Sequence, residues 1–265
     1  MTAENVFLNI PLWAFFSLTI VVSLLAVETG FRLGRYHSEK HKDQPAQSGP
    51  SGAMVTATLA LLAFMLAFTF GMASSRFDAR RLLVLEESNA VATTFLRAQL
   101  LPQPRAAEIQ ALLREYVDIR VAATTEPGKV VTALARSEEL HRLLWLHAQA
   151  LAQEHPAPMA AVILIQSLND VISLHSKRVT AGLRSHIPVI IWFTLYFLAI
   201  MAMIGMGYQA GSATARRAVV SLFLALAFSS VIALIADLDR GKEGLLRVSQ
   251  QSMVDLQQRL NDGKP

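Results

Sequence analysis

Several groups of side chains in this sequence have chemistry beyond that of a plain helical protein. His37 and His41 stand four apart with Glu39 and Asp43 beside them, the spacing that puts two imidazoles on one helix face for a metal ion. Arg76, Asp78, Arg80 and Arg81, followed by Glu86 and Glu87, form a charged belt with two readings: an anchor of surface charges and surface pairs at the lipid headgroups, which is favoured, or a charged vestibule that focuses a field on small ions if repeated around an axis. Asn89, Tyr116, Asp118, Arg120, Asn169, Asp170, His175 and Arg178 are polar residues on otherwise apolar helical patterns. If they face inward they must pair, because a buried charge without a partner is strongly destabilising. An interhelical polar network is the expected use. Asp237, Asp239 and Arg240 form a further charged group, read as the interfacial stop of a membrane helix. Finally, Leu61, Phe64, Phe68 and Met72 share one helical face, beside a strip of small residues, Ala60, Ala63, Ala67 and Gly71. That apolar face has two readings: a constriction that gates by dewetting, or a contact with lipid or another helix.

Other chemistries are absent. The sequence has no cysteine, which excludes disulfides, thiol catalysis and Cys-based metal centres. It has no glycine-rich phosphate loop, nucleophile elbow or HExxH pair. The two histidines fall in a Pro-, Gly- and Ser-containing stretch, His37 to Ser51, that reads as a solvated loop. No metal, cofactor or catalysis is therefore expected. The net charge of +4 is scattered rather than blocked, so nucleic acid is not an expected partner, whereas anionic lipid headgroups are.

The elements that must position these residues are set by hydropathy. The chain has 265 residues, 53% hydrophobic and 17% charged. Four windows hold no Lys, Arg, Asp or Glu: Ile10–Val27, Ala53–Ala73, Ile187–Tyr208 and Ala218–Ala236. Each is long enough to cross about 30 Å of hydrocarbon as a helix. Outside them the charged fraction rises to about 24%, the level of an ordinary soluble domain. The first window reads as a retained helix: no basic residue precedes it and Ala26-Val27-Glu28 is not a small–x–small cleavage site. From Ala53 to Leu101 there is no Pro and one Gly, so the second span should continue as one helix of about 73 Å, ended by Pro102 and Pro104. Helical patterns follow over Arg105–Thr125, Val131–Glu154 and Met159–Ser185, with no strand alternation.

The fold class expected is an all-α membrane protein with four transmembrane helices and an extramembrane helical domain between spans two and three. Its boundaries fall at 1–75, 76–186, 187–236 and a tail at 237–265. Both termini share a side with the helical domain. Basic residues leave that side open: Arg32, Arg35, Lys40, Lys42, Arg216 and Arg217 lie on one face, and Arg76, Arg80, Arg81, Lys177, Arg178, Arg184, Arg240, Lys242 and Arg247 on the other.

Three blocks carry a resemblance. The first is Phe68-Thr69-Phe70 with Arg76-Phe77-Asp78-x-Arg80-Arg81, then Glu87-Ser88-Asn89, Leu100-Leu101-Pro102 and Tyr116-Val117-Asp118-x-Arg120. The second is Leu168-Asn169-Asp170, Leu174-His175, Arg178 and Ile187-Pro188. The third is Asp237-Leu238-Asp239-Arg240, Gly244 and Val248-Ser249, with Gly241 and Ser252 standing where prolines are usual. In this order they resemble the bestrophin-like family of bacterial and plant membrane proteins, itself faintly similar to bestrophin channels. The resemblance implies cytosolic termini and a cytosolic helical domain in a bacterial inner membrane. It also implies a homo-oligomer, a pentamer, whose pore has an apolar neck on the second span and passes small inorganic ions. Leu61, Phe64, Phe68 and Met72 would then line the neck, and Arg76, Phe77, Asp78, Arg80 and Arg81 its vestibule. A non-conducting, membrane-anchored sensor or scaffold is the alternative. An ion-coupled transporter is disfavoured, since the spans hold no ionisable residue but Glu28 at an edge.

Overall fold

The computed structural model describes residues 10–40, 51–125, 127–154, 159–211, 218–240 and 244–263. His41, Lys42, Asp43, Pro156, Pro158, Arg216, Arg217, Gly241 and Lys242, which figure in the sequence reading, lie outside them. The described residues form helices and no strand. In chain order they are α1 (Leu12–Lys40), α2 (Ser51–Ala98), α3 (Arg105–Thr125), α4 (Val130–Ala152), α5 (Met159–Leu183), α6 (Val189–Gly211), α7 (Ala218–Arg240) and α8 (Gln251–Asn261). A single 3-10 turn, Pro127–Lys129, joins α3 to α4.

Prolines set several of the boundaries. Pro11 precedes α1 and accepts the Phe15 N–H at 3.0 Å, and Pro188 precedes α6 and accepts from Ile191 at 2.9 Å. The 48-residue α2 ends at Ala98, three residues earlier than expected, because its last turn tightens before Pro102. There Gln99, Leu100 and Leu101 donate to the carbonyls three residues back. At α1 the expectation of a loop from His37 is corrected: the helix runs on through Lys40. Exposed ion pairs four apart, Glu28 with Arg32 and Arg35 with Glu39, support that extension.

Five helices are long and apolar enough to cross a membrane: α1, α2, α5, α6 and α7. Of these, α5 also carries His175, Lys177 and Arg178, and it lays Ala161, Leu164, Leu168 and Val171 into a helical core.

The chain forms two compact units, each made of two stretches of sequence. The first comprises Met1–Phe77 and His186–Arg247. Its core gathers Phe15, Leu62, Leu66, Trp192, Leu195, Ala202, Ile232 and Ile235. The ring of Phe15 meets Trp192 edge-on at 6.0 Å, and Thr19 Oγ1 lies 2.8 Å from Tyr196 Oη. Helices α1 and α6 approach until their backbones touch. A Cβ on Gly30 would stand 2.1 Å from the Ile204 carbonyl oxygen, one on Gly34 2.2 Å from that of Tyr208, and one on Gly207 2.1 Å from that of Val27. Both helices thus carry a glycine pair four apart, Gly30/Gly34 and Gly207/Gly211, the arrangement that lets helices pack closely in lipid.

The second unit comprises Asp78–Ser185 and Val248–Pro265. The lower part of α2 contributes Val91 and Phe95 to its core, α3 Ile109, Leu113 and Val117, and α4 Leu140, Leu144 and Leu151. The segment read as a tail supplies α8, which buries Met253, Leu256 and Leu260 in the same core.

A direct check follows from the glycine contacts. Gly207→Ala should cost about 1–3 kcal/mol by forcing the helices apart. Gly71→Ala, whose Cβ would meet nothing within 4 Å, should be neutral or stabilising by up to about 1 kcal/mol. Thermal unfolding of the detergent-solubilised chain distinguishes the two.

Candidate functional site

On α2, Leu61, Phe64 and Phe68 are 49%, 66% and 55% exposed and lie on one side of the helix. Met72 leaves that side. It is half-buried, packs on the core of the first unit, and its sulfur accepts from Arg76 at 3.9 Å. The exposed line continues instead through Gly71 and Ser75. Phe77 also turns toward that core.

Beyond Phe77, α2 exposes Asp78, Leu82, Leu85 and Asn89. Asp78 and Arg81 line a groove in the second unit with Leu82, Leu85, Ser249, Gln251 and Ser252. Arg80 does not share it. It is buried, and it donates from Nε to the Ala181 carbonyl at 2.9 Å and from Nη2 to the Ser185 carbonyl at 2.8 Å. A cation there satisfies the orphan carbonyls at the C-terminal end of α5.

The densest charge in the molecule is inside the second unit. Glu87, on α2, is fully buried. Its Oε1 accepts from the Tyr116 hydroxyl and its Oε2 from Arg178 Nη1. Arg120 Nε stands 3.4 Å and His175 Nδ1 3.8 Å from Oε1. With its one proton given to Glu87, Tyr116 Oη accepts from His175 Nδ1, 2.9 Å away. Arg178 also donates from Nη2 to Gln250 Oε1, just ahead of α8. The buried ring of His141, from α4, packs against both aromatic neighbours: 5.0 Å from Tyr116 and 4.8 Å, nearly perpendicular, from His175.

The electrostatics follow from this packing. Burial opposes a charge on Glu87, but His175, Arg178, Arg120 and the Tyr116 hydroxyl outweigh it and hold the carboxyl well below the usual carboxylate range. Burial and the Glu87 charge push the Tyr116 phenol up. Burial, with His175 adding to it, pushes His141 down to about 4. The cluster is therefore a carboxylate held between two guanidinium groups, with a neutral phenol at its centre.

Of the polar residues singled out in the sequence, Tyr116, Arg120, His175 and Arg178 meet here. Asn89, Asn169 and Asp170 are exposed, and Asp118 is exposed and accepts from Gln257 Nε2 at 2.7 Å. Asp237, Asp239 and Arg240 belong to the first unit. There Asp237 accepts the Leu245 and Leu246 N–H groups at 3.0 Å each, and Asp239 accepts the Ile187 N–H at 2.9 Å. Arg240 donates to the Ile10 carbonyl and lies over the Phe15 ring at 5.6 Å. Gly244 has no room for a side chain, since a Cβ would stand 1.4 Å from Asp237 Oδ1. The sequence reading missed Glu87 as the anchor, taking it for a surface charge, and it missed His141 and Gln250. The signal for Glu87 was present: it falls three residues after Val84 and four before Val91, both buried. Among the described residues no group of three His, Asp or Glu side chains is arranged to hold a metal ion.

Long apolar helices, no strand among the described residues, and a separate helical unit with a charged core define an all-α, multi-pass membrane protein. The bestrophin-like domain matches residues 7–253, and the chain belongs to the bestrophin-like family. A single-substitution variant of a bacterial bestrophin homologue from Klebsiella pneumoniae is similar in structure, at 13% identity and TM-score 0.66, covering 94% of this chain and 97% of that one. Another crystal structure of the Klebsiella homologue aligns at 14% identity and TM-score 0.62, covering 95% and 98%. No curated protein sequence matches the chain.

Glu87→Gln should be far more damaging than a surface change. It leaves two buried guanidinium groups without their carboxylate, a loss of about 3–5 kcal/mol. Glu86→Gln, on an exposed neighbour, should stay within about 0.5 kcal/mol. Protease resistance of the second unit as a function of denaturant measures both.

Proposed function

We propose that this chain is one subunit of a homo-oligomeric, bestrophin-like ion channel. The observation that carries the reading is the exposed face of α2, where Leu61, Phe64 and Phe68 stand uncovered in the isolated chain. Membership of the bestrophin-like family supports a reading in which this face is repeated around an axis. Large apolar side chains ringing a narrow pore expel water unless the ring widens, so they form a neck that gates by wetting. Arg76, Asp78 and Arg81, on the following turns, would become rings of charge that concentrate small inorganic ions at the mouth. Buried Arg80 acts there as a structural clamp.

The arrangement proposed is five copies in a bacterial inner membrane. Spans are α1, the upper part of α2, α6 and α7; the second unit, including α5, lies in the cytosol with both termini. The cytosolic placement follows the family resemblance. Lipid and further copies of the chain are the partners, and no catalytic step is part of the function.

Purified protein in planar bilayers tests the claim. Wild type should conduct, and Phe64→Ala or Phe68→Ala should raise the open fraction or conductance several-fold, as removal of an aromatic ring widens the neck. Absence of current, or currents identical in all three, refutes it. The mass of the solubilised assembly is the second check: a monomer or dimer fits a membrane-anchored scaffold, a larger closed ring the channel.

A further inference from the structure

We propose that His141 is a proton-binding site inside the second unit, and that taking up a proton there releases α4 from the charge cluster. The inference does not depend on conduction. It stands on what surrounds the ring. His141 is 93% buried by side-chain neighbours on three other helices, its residual exposure being 7%. Its Nε2 is buried and has no hydrogen-bond partner. A neutral imidazole tolerates that position as an acceptor left idle; an imidazolium does not, because both its nitrogens must donate.

The groups facing it make a second positive charge still less welcome. Helix α2 presents Glu87, α3 presents Tyr116 and Arg120, and α5 presents His175 with Arg178 behind it. The segment ahead of α8 offers only uncharged Gln250. On α4 itself, Ser137 is committed to the Ala133 carbonyl at 2.7 Å, and Glu138, Glu139 and Arg142 are exposed. Two guanidinium groups already face one carboxylate, and Arg120 Nε also lacks a hydrogen-bond partner. Glu87 has its oxygens engaged by Tyr116 and Arg178, and its attraction for a charge on His141 is outweighed by burial and by His175. A proton on His141 would therefore add a further positive charge beside that single anion, whose two oxygens are already engaged.

The only way to accommodate it is to let the ring reach water. His141 lies on α4 between Leu140 and Leu144, so exposing its ring to water means loosening this helix from the core. The sign of the effect is fixed. The folded site binds the proton more weakly than the unfolded chain, so stability is complete above the ordinary histidine range and drains away as pH falls from 6.5 toward 4.

The full-length, detergent-solubilised chain tests this. Histidine-selective 13C NMR between pH 7.5 and 4, with the His141 signal assigned by its loss in His141→Gln, should show His141 titrating far below the ordinary histidine range. Over the same range the folding equilibrium of the second unit should fall by about 150-fold in wild type, as linkage between 6.5 and about 4 requires at pH 4. It should fall much less in His141→Gln. Hydrogen exchange should accelerate first in α4. An ordinary titration for His141 overturns the proposal, as does an undiminished acid loss in His141→Gln or one abolished only by His175→Gln. If His141→Gln fails to fold, His141→Phe supplies the assignment, and the wild-type titration and α4 exchange decide alone.

Discussion

A carboxylate taken completely out of water must be surrounded by donors, and Glu87 shows how far that requirement organises a fold. Five side chains from three other segments converge on it or on its immediate partners: Tyr116 and Arg120 one turn apart on α3, His175 and Arg178 on α5, and Gln250 before α8. Each fixes the rotation of its own helix, because turning any helix by one residue would withdraw its donor. A purely apolar core of the same size would tolerate such rotations at modest cost. The buried ion cluster thus contributes less to net stability than to the choice of one packing among several, a role seen for polar core groups elsewhere.

The first unit solves a different problem. Lipid supplies no hydrophobic drive for helix association, so close backbone approach must supply it. The reciprocal glycine pairs of α1 and α6 do so, and Arg240, reaching from the end of α7 to the Ile10 carbonyl, fastens the start of α1 to the same assembly. The charged residues Asp237 and Asp239 accept from backbone N–H groups of chain segments that turn back beside them. They hold the ends of this unit together.

Helices were readable in the sequence because apolar periodicity and proline punctuation are local signals. The continuous α2 followed from 49 residues without proline. Membership of the family was carried by ordered motifs and needed no coordinates. Side-chain partnerships were not readable, since they depend on how separate helices rotate against one another. Asn89, Asp118 and Asn169 have the same polar character as Arg120 and His175, yet they face solvent. Met72 occupies a proper helical step from Phe68, but a neighbouring core on its side turned it from the exposed line. The α8 helix was overlooked because its 11 residues are polar on balance, and only Met253, Leu256 and Leu260 betray a buried face.

Each unit is assembled from two separated stretches, in an interleaved order: first, second, first, second. During synthesis, the lower half of α2 and helices α3 to α5 emerge before α6 and α7 exist, and they lack α8, whose Met253, Leu256 and Leu260 complete the core. The nascent second unit must therefore persist as an incomplete bundle while the last membrane helices are inserted. Its tightly partnered carboxylate gives the waiting bundle a fixed arrangement before the final helix arrives to seal it.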